Sequence, residues 1–225
     1  MLGPFWISLA MATLVFGIGL LYSKILNIPF REYLVYFGCG LLAWNLLASS
    51  LTEGCQVLME AEGHIKAIPI PITLFSARMV YRNLIIFGHN LLAILLVIVC
   101  FGKLSPLAPL AIIGVFLIAL FGYGASLVLA PLSLRFRDIP QLVQNMVQML
   151  FFLTPIFWRG DQLSARHPFV EFNPAHHFIE LVRGPLIGVM PSMTSYLFAI
   201  GATIVALAAG FVAVHVSRRS IFLWL

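Results

Sequence analysis

Along this chain, long apolar runs alternate with polar connectors, and the runs have the length of helices that cross a bilayer. A hydrocarbon core about 30 Å thick takes roughly 20 apolar helical residues. Six stretches meet that length: about Pro4 to Tyr22, Tyr33 to Leu51, Val80 to Phe101, Pro106 to Leu129, Leu142 to Trp158, and Met193 to Val216. Pro4 suits the first turn of a helix, where its missing N–H costs no hydrogen bond. The pattern predicts an all-α membrane protein of six transmembrane helices forming one domain over residues 1–225. No internal repeat or low-complexity tract divides it.

The connectors differ in length and character. Ser23–Glu32 and Gly102–Ser105 are short, Pro131–Gln141 is a polar turn, and Thr52–Arg78 is the most charged part of the chain. Arg159–Ser192 is long and rich in Pro and His. In it Asn173 is placed to cap a helix with Pro174 at its first position, and Gly184-Pro185 is the expected stop. Glu180 and Arg183 stand three apart on that helix, spaced to pair. A helix capped at both ends after a Pro- and Trp-rich exit suits a re-entrant or interfacial helical hairpin between the fifth and sixth spans. A plain extracytoplasmic loop is the other reading.

Composition closes off the soluble alternatives. Hydrophobic residues make up 61% of the chain, charged ones only 9%, and the mean hydropathy is +1.03. A soluble domain needs a charged shell, and 13 Lys/Arg with 8 Asp/Glu cannot build one. The net charge of +5 comes from basic residues scattered singly between apolar runs, a membrane-orientation signal and no nucleic-acid surface. With both termini cytoplasmic, Lys66, Arg78, Arg82, Arg135, Arg137, Arg218 and Arg219 lie inside, against Lys24, Arg31, Lys103, Arg159, Arg166 and Arg183 outside. Setting aside the last three, which belong to the long fifth connector, leaves seven against three and favours cytoplasmic termini. Cys39, Cys55 and Cys100 are too dispersed for a disulfide framework or metal cluster.

Chemistry-bearing patterns are few. No Gly-x-x-x-x-Gly-Lys-Ser/Thr loop occurs, so ATP-driven work must borrow its motor from another polypeptide. No Gly-x-Ser-x-Gly elbow, His-Glu-x-x-His or close acidic pair is present either. On the fifth span Gln141, Gln144, Asn145 and Gln148 share an arc of about 100°, continued by Phe152. Lipid would penalise these amides, so the stripe faces protein or water, as interhelical glue or as a conduit wall for hydroxyl-rich cargo. His89 and Asn90 sit mid-span, suited to interhelical hydrogen bonds or to ligand contact. His176 and His177 are adjacent, point apart on a helix, and have no carboxylate spaced to complete a metal site. Between Gly54 and Ile68 an apolar face of Val57, Leu58, Ala61 and Ile65 is surrounded by Glu60, Glu62, His64 and Lys66, with Pro69 and Pro71 as the expected stop. Lipid-binding helices are richer in Lys and Arg, so this acidic one points to a partner protein. Phe5, Trp6, Tyr33, Tyr36, Trp44, Phe152 and Trp158 are candidate contacts for hydroxyl-rich cargo or interfacial anchors.

Leu2-Gly-Pro-Phe-Trp6 resembles the opening motif of type-2 ABC exporter permeases for polysaccharides. So do Leu134-Arg-Phe-Arg-Asp138-Ile-Pro140, the following Gln-Leu-Val-Gln-Asn, Phe-Phe-Leu-Thr-Pro155-Ile-Phe-Trp158, and Asn173-Pro174 with Arg183. The motifs run in order along nearly the whole chain and are most similar to the membrane subunit of O-antigen, lipopolysaccharide and capsule exporters. The resemblance implies a homodimer in the cytoplasmic (inner) membrane over two separate ABC ATPase subunits. ATP and Mg would sit on the ATPase, with no cofactor on this chain, and lipid-linked polysaccharide would be the cargo. It implies a first cytoplasmic loop that couples ATP binding to opening, matching Glu60, Glu62, His64 and Lys66. It makes Arg135, Arg137, Asp138, Asn173 and Arg183 structural motif residues and puts re-entrant helices in 159–192. Family members also carry a basic amphipathic segment ahead of the first motif, expected to guide the lipid-linked headgroup. The rival, an ATPase-independent transporter or channel, would be expected to show inverted internal repeats, which the sequence lacks.

Overall fold

The computed structural model describes residues 5–67, 70–158, 168–218 and 220–224. Leu2 to Pro4 of the first motif, Pro69, Arg159, Arg166 and Arg219 lie outside the described residues. The elements are α1 (Phe5–Ile25), α2 (Phe30–Glu60), α3 (Glu62–Ala67), α4 (Thr73–Phe101), a 3-10 turn (Ala108–Leu110), α5 (Ala111–Arg135), α6 (Ile139–Leu153), α7 (Pro168–Glu171), α8 (Pro174–Ile187), α9 (Met193–Ser217) and α10 (Ile221–Trp224). There is no strand among the described residues. Five helical stretches are long and apolar enough to cross a membrane: α1, α2 with α3, α4, the 3-10 turn with α5, and α9.

Several boundaries differ from those the sequence pattern predicts, among them the start of α4 at Thr73 and the end of α5 at Arg135, and three of them shape the site. The fifth expected span reaches Trp158, but α6 ends at Leu153 and is 15 residues long, about 22 Å. Pro155 is the cause: the residue before a proline is pushed out of the helical region, and Thr154 is extended at φ −93°, ψ 135°. The second expected span stops at Leu51, whereas α2 continues to Glu60 because Val57 and Leu58 are buried against Met79, Val80 and Leu134. The expected connector helix over Gly54–Ile68 is therefore split, its first half being the end of α2 and its second half α3. Lastly, α8 runs through Gly184-Pro185 and ends at Gly188, whose φ of 88° suits a glycine. There Val189 N–H bonds Gly184 O at 2.8 Å, a closing turn that satisfies a terminal carbonyl. Asn27, at φ 52°, closes α1 the same way, with Ile28 N–H bonded to Ser23 O at 3.0 Å.

α2 is the central post, in contact with α1, α4, α5, α6 and α8, while α5 also carries α9. Small residues bring these helices together. Added side chains at Gly122 and Gly54 would meet Ser50 at 2.6 Å and Ser126 at 3.2 Å, a reciprocal pair of i, i+4 steps across α2 and α5. On the other side of α5, a Cβ on Gly124 would lie 2.6 Å from the backbone of Ala206 and Leu207, and one on Gly210 2.6 Å from Gly124 O. Where lipid is as apolar as leucine, such close approach supplies the packing energy that hydrophobic burial cannot.

Candidate functional site

The segment 154–158 leaves helical geometry inside the protein, so its carbonyls need donors from elsewhere. α2 and α8 supply them. Tyr33 Oη donates to Phe157 O at 2.7 Å, and Tyr36 Oη reaches Pro155 O at 3.4 Å and Trp158 O at 3.3 Å. Arg183 Nη1 donates to Pro155 O at 2.6 Å, and Asn173 Nδ2 donates to Thr154 Oγ1 at 2.9 Å. The Arg183 guanidinium lies over the Tyr36 ring at 4.2 Å, and its Nη2 pairs with Glu180 at 2.9 Å, the pair expected from their spacing. Asn173 also caps α8 as expected, its side chain accepting from Ala175 N–H at 3.0 Å. His177 completes the support, with Nε2 against Glu171 O at 2.8 Å and Nδ1 against Ser195 Oγ at 3.1 Å. Among the described residues no three His, Cys, Asp or Glu side chains gather as a metal site.

This clasp decides where the aromatic candidates stand. Tyr33 is fully buried, Tyr36 lies under a guanidinium, and Trp44 is buried with its ring 5.5 Å from Phe151. Trp158 is half-buried; Trp6 and Phe152 are exposed, and the Phe5 side chain is outside the described residues.

The amide stripe of α6 faces outward. Gln141, Gln144, Asn145 and Gln148 are all exposed, while Val143, Val147, Leu150 and Phe151 pack inward. One hydrogen bond links the stripe to itself, donated by Gln141 Nε2 to Asn145 Oδ1 at 3.2 Å. A second polar stripe, which hydropathy alone does not reveal, lies on α2: Asn45, Ser49, Thr52 and Gln56, at steps of four, three and four. That spacing confines them to an arc of about 60°. The signal was in the sequence, but the run around it is so apolar that hydropathy conceals it. Trp44 leans on α6, and Leu42 and Leu46 line a cavity with residues of α4, so the stripe occupies the sector of α2 between those two helices. On α4, Asn83 and Asn90 are buried and line the same cavity of about 250 Å³. His89, singled out with them, bonds Ile85 O at 2.8 Å through Nδ1. Arg82, at the end of this seam, pairs with Glu53 of α2 at 2.8 Å.

The charged end of α2 forms another site. Glu60 and His64 face Arg78 and Arg82 across a cavity of about 230 Å³ floored by Val57, Phe75 and Met79. Glu62 pairs with Lys66 at 2.6 Å on the surface of α3. Arg135 stacks its guanidinium on Phe136 at 5.2 Å and Trp224 at 5.7 Å. Arg137 and Asp138 are exposed in the turn that leads into α6.

Fold and site together define a multi-pass helical membrane protein with exposed polar faces and a buried clasp around 154–158. No family model matches the chain. It is similar to an O-antigen export system permease protein RfbA of Klebsiella pneumoniae, 25% identical over 161 residues, 68% of this chain and 61% of that protein. A second K. pneumoniae protein of the same name is 23% identical over 161 residues, with the same coverage of each chain. The Myxococcus xanthus protein of that name is 23% identical over 159 residues, 69% of this chain and 61% of its own. These relatives bear out the resemblance read from the motifs. The matched stretch spans about three fifths of the length of the curated relatives.

Proposed function

We propose that this chain is the membrane-spanning permease subunit of an ATP-driven ABC exporter that moves lipid-linked polysaccharide, an O-antigen or capsule-like glycan, across the cytoplasmic membrane. Its role is transport; a separate ABC ATPase subunit binds ATP and Mg and hydrolyses the nucleotide. The likeness to O-antigen export permeases carries the reading, and the geometry supports it. Two helices, α2 and α6, hold polar stripes outside the packed core, where lipid would penalise them. A homodimer that turns these stripes toward a shared channel removes the penalty and creates a wall of neutral donors and acceptors. Sugar hydroxyls can exchange along such a wall without being trapped. In this arrangement the sixth crossing is made by α6 together with 154–158, α7 and α8 form the re-entrant hairpin, and both termini are cytoplasmic. Glu60, Glu62, His64 and Lys66 then meet the ATPase. Gln141, Gln144, Asn145, Gln148, Phe152, Trp158 and Trp6 are the pathway residues, with Tyr36 and Trp44 holding the wall in place. An ATPase-independent transporter is the weaker reading, because the relatives are named as export-system permeases.

The test is deletion and reconstitution. Cells lacking the protein should lose the surface glycan and accumulate its lipid-linked form inside, and the purified chain should hydrolyse no ATP until the ABC subunit is added. Unchanged surface glycan, or ATP hydrolysis by the chain free of any ATPase, would refute the proposal.

A further inference from the structure

We propose that the groove between α1 and α4 holds a resident membrane phospholipid with one net negative charge, its phosphate bound by Arg78. The inference concerns the bilayer around the protein and not the exported glycan, so it stands apart from the permease reading. Its starting point is a cavity of about 560 Å³ lined by Ile7 of α1 and by residues of α4 from Arg78 to His89. Both walls face outward, Ile7 being 47% and Ile85 45% exposed. A groove on the outside of a membrane-spanning helix pair fills with lipid, and this one has room for an acyl chain.

Polarity is distributed along the groove as it is along a lipid. Arg78, Tyr81 and Arg82 stand together at one end, within i, i+3 and i, i+4 reach on α4. Tyr81 is 67% exposed, an amphipathic ring of the kind that sits at headgroup level. Ile85 and Ile86 follow, and His89 marks the deep end, with its Nδ1 turned back to Ile85 O at 2.8 Å. The eleven steps from Arg78 to His89 rise about 16 Å. That is the depth of one leaflet, half of a hydrocarbon core about 30 Å thick. A phosphate at the arginines therefore leaves an acyl chain lying along the isoleucines. An arginine that only snorkels to bulk headgroups needs no such apolar floor leading away from it.

Charge decides which lipid fits. Arg82 already pairs with Glu53 at 2.8 Å. Arg78 is paired with no acid among the described residues, and Glu60 lines the neighbouring cavity and not this one. One guanidinium is thus uncompensated at headgroup level. It matches the single charge of a phosphodiester such as phosphatidylglycerol, whose two phosphate oxygens suit the planar fork. Phosphatidylcholine brings a cation of its own and no net charge. An isoprenyl diphosphate brings more negative charge than the groove offsets. Basic pockets between membrane helices select anionic headgroups for this reason.

The experiment uses the full chain in nanodiscs of equimolar phosphatidylglycerol and phosphatidylcholine. The protein is released into mild detergent, and the monodisperse fraction is weighed by native mass spectrometry. The parent should keep a phosphatidylglycerol adduct in preference to phosphatidylcholine. Arg78→Gln should keep about five-fold less, the effect of removing one basic residue from an anionic surface. Arg31→Gln, which removes an exposed charge from the start of α2, should keep as much as the parent. Ile85→Trp, which fills the groove and leaves both arginines, should lose the adduct as Arg78→Gln does. Added isoprenyl diphosphate or inorganic phosphate should not displace the phospholipid. Equal retention by Arg78→Gln, equal loss in Arg31→Gln, indifference to Ile85→Trp, or no preference for phosphatidylglycerol overturns the site. Displacement by isoprenyl diphosphate or by phosphate overturns the phospholipid as its occupant.

Discussion

Arg183→Ala is the most informative single change. Arg183 is 3% exposed, and its guanidinium holds the 154–158 segment by its bond to Pro155 O at 2.6 Å, with the Tyr36 ring beneath it at 4.2 Å. A charge-assisted bond to a buried carbonyl contributes about 1.5–3 kcal/mol. A shielded cation–π contact adds about 1 kcal/mol. The Glu180 carboxylate is 21% exposed, so its pairing contributes less, below about 1 kcal/mol. The variant should therefore lose about 3–5 kcal/mol, in line with breaking a buried ionic contact on one side. For a chain of this size that is a melting midpoint lower by about 10 °C, read as loss of the monodisperse fluorescent peak of a tagged protein after heating. Arg183→Lys keeps the charge but loses the planar fork, and should fall by about half as much. A local reporter separates this from general fragility. Ile156 is fully buried, so Ile156→Cys should be inert to a hydrophilic maleimide in the parent and reactive with Arg183→Ala at a temperature where both remain folded. A midpoint within about 2 °C of the parent, or an Ile156→Cys thiol that stays silent, would refute the clasp.

Three other outcomes are expected. In a background lacking native cysteines, Gln144→Cys and Gln148→Cys should react with small hydrophilic thiol reagents, more strongly with ATP bound, while Leu92→Cys stays protected; silence at both amide positions in every state removes the stripe from the pathway. The pair Glu60→Lys and Glu62→Lys should abolish co-purification with the ATPase or uncouple export without lowering membrane insertion, and normal export would show that these acids are peripheral. Gly124→Ala should cost about 1–3 kcal/mol in thermal stability, because its new carbon would sit 2.6 Å from the α9 backbone, whereas Gly17→Ala, with nothing within 4 Å, should be close to neutral.

The sequence yields the long elements readily, since a run such as Met193 to Val216 leaves the backbone only one way to satisfy its polar groups in lipid. Local capping is just as readable: Asn173 before Pro174 and Glu180 three before Arg183 are short-range geometry, and both take the predicted form. Long-range context is harder. Nothing near Thr52 announces that α2 continues, because the reason is Met79 and Leu134 arriving from other helices to cover Val57 and Leu58. Pro155 could have marked the end of α6 at Leu153, but the apolar residues beyond it carry the hydropathy on to Trp158. The clasp was unreadable for the same reason: Tyr33 and Tyr36 look like interfacial aromatics until a carbonyl more than a hundred residues away is placed against each hydroxyl. The α2 stripe is a different case, written in the spacing of Asn45, Ser49, Thr52 and Gln56 and hidden only by averaging over their neighbours.

The continuation of α2 to Glu60 and the end of α6 at Leu153 belong to one mechanical arrangement. Because α2 is unbroken from Phe30 to Glu60, it spans about 46 Å and joins the charged end to the clasp without a hinge. Its Glu60 end lines the cavity with Arg78 and Arg82, and its Tyr33 end bonds the carbonyls that follow α6. A rigid rod transmits a push that a loop would absorb. In the proposed exporter, a displacement imposed by the ATPase near Glu60 moves the polar face of Asn45, Ser49 and Thr52 and the tyrosines of the clasp as one body. Beyond Thr154, whose N–H still bonds Leu150 O at 2.9 Å, the segment is held by the clasp, so in that exporter it would follow α2 and Arg183 and take the end of α6 with it. In the proposed exporter the short helix and the long one would be complementary, the break at Pro155 giving the wall a place to yield and the continuous α2 setting when it does.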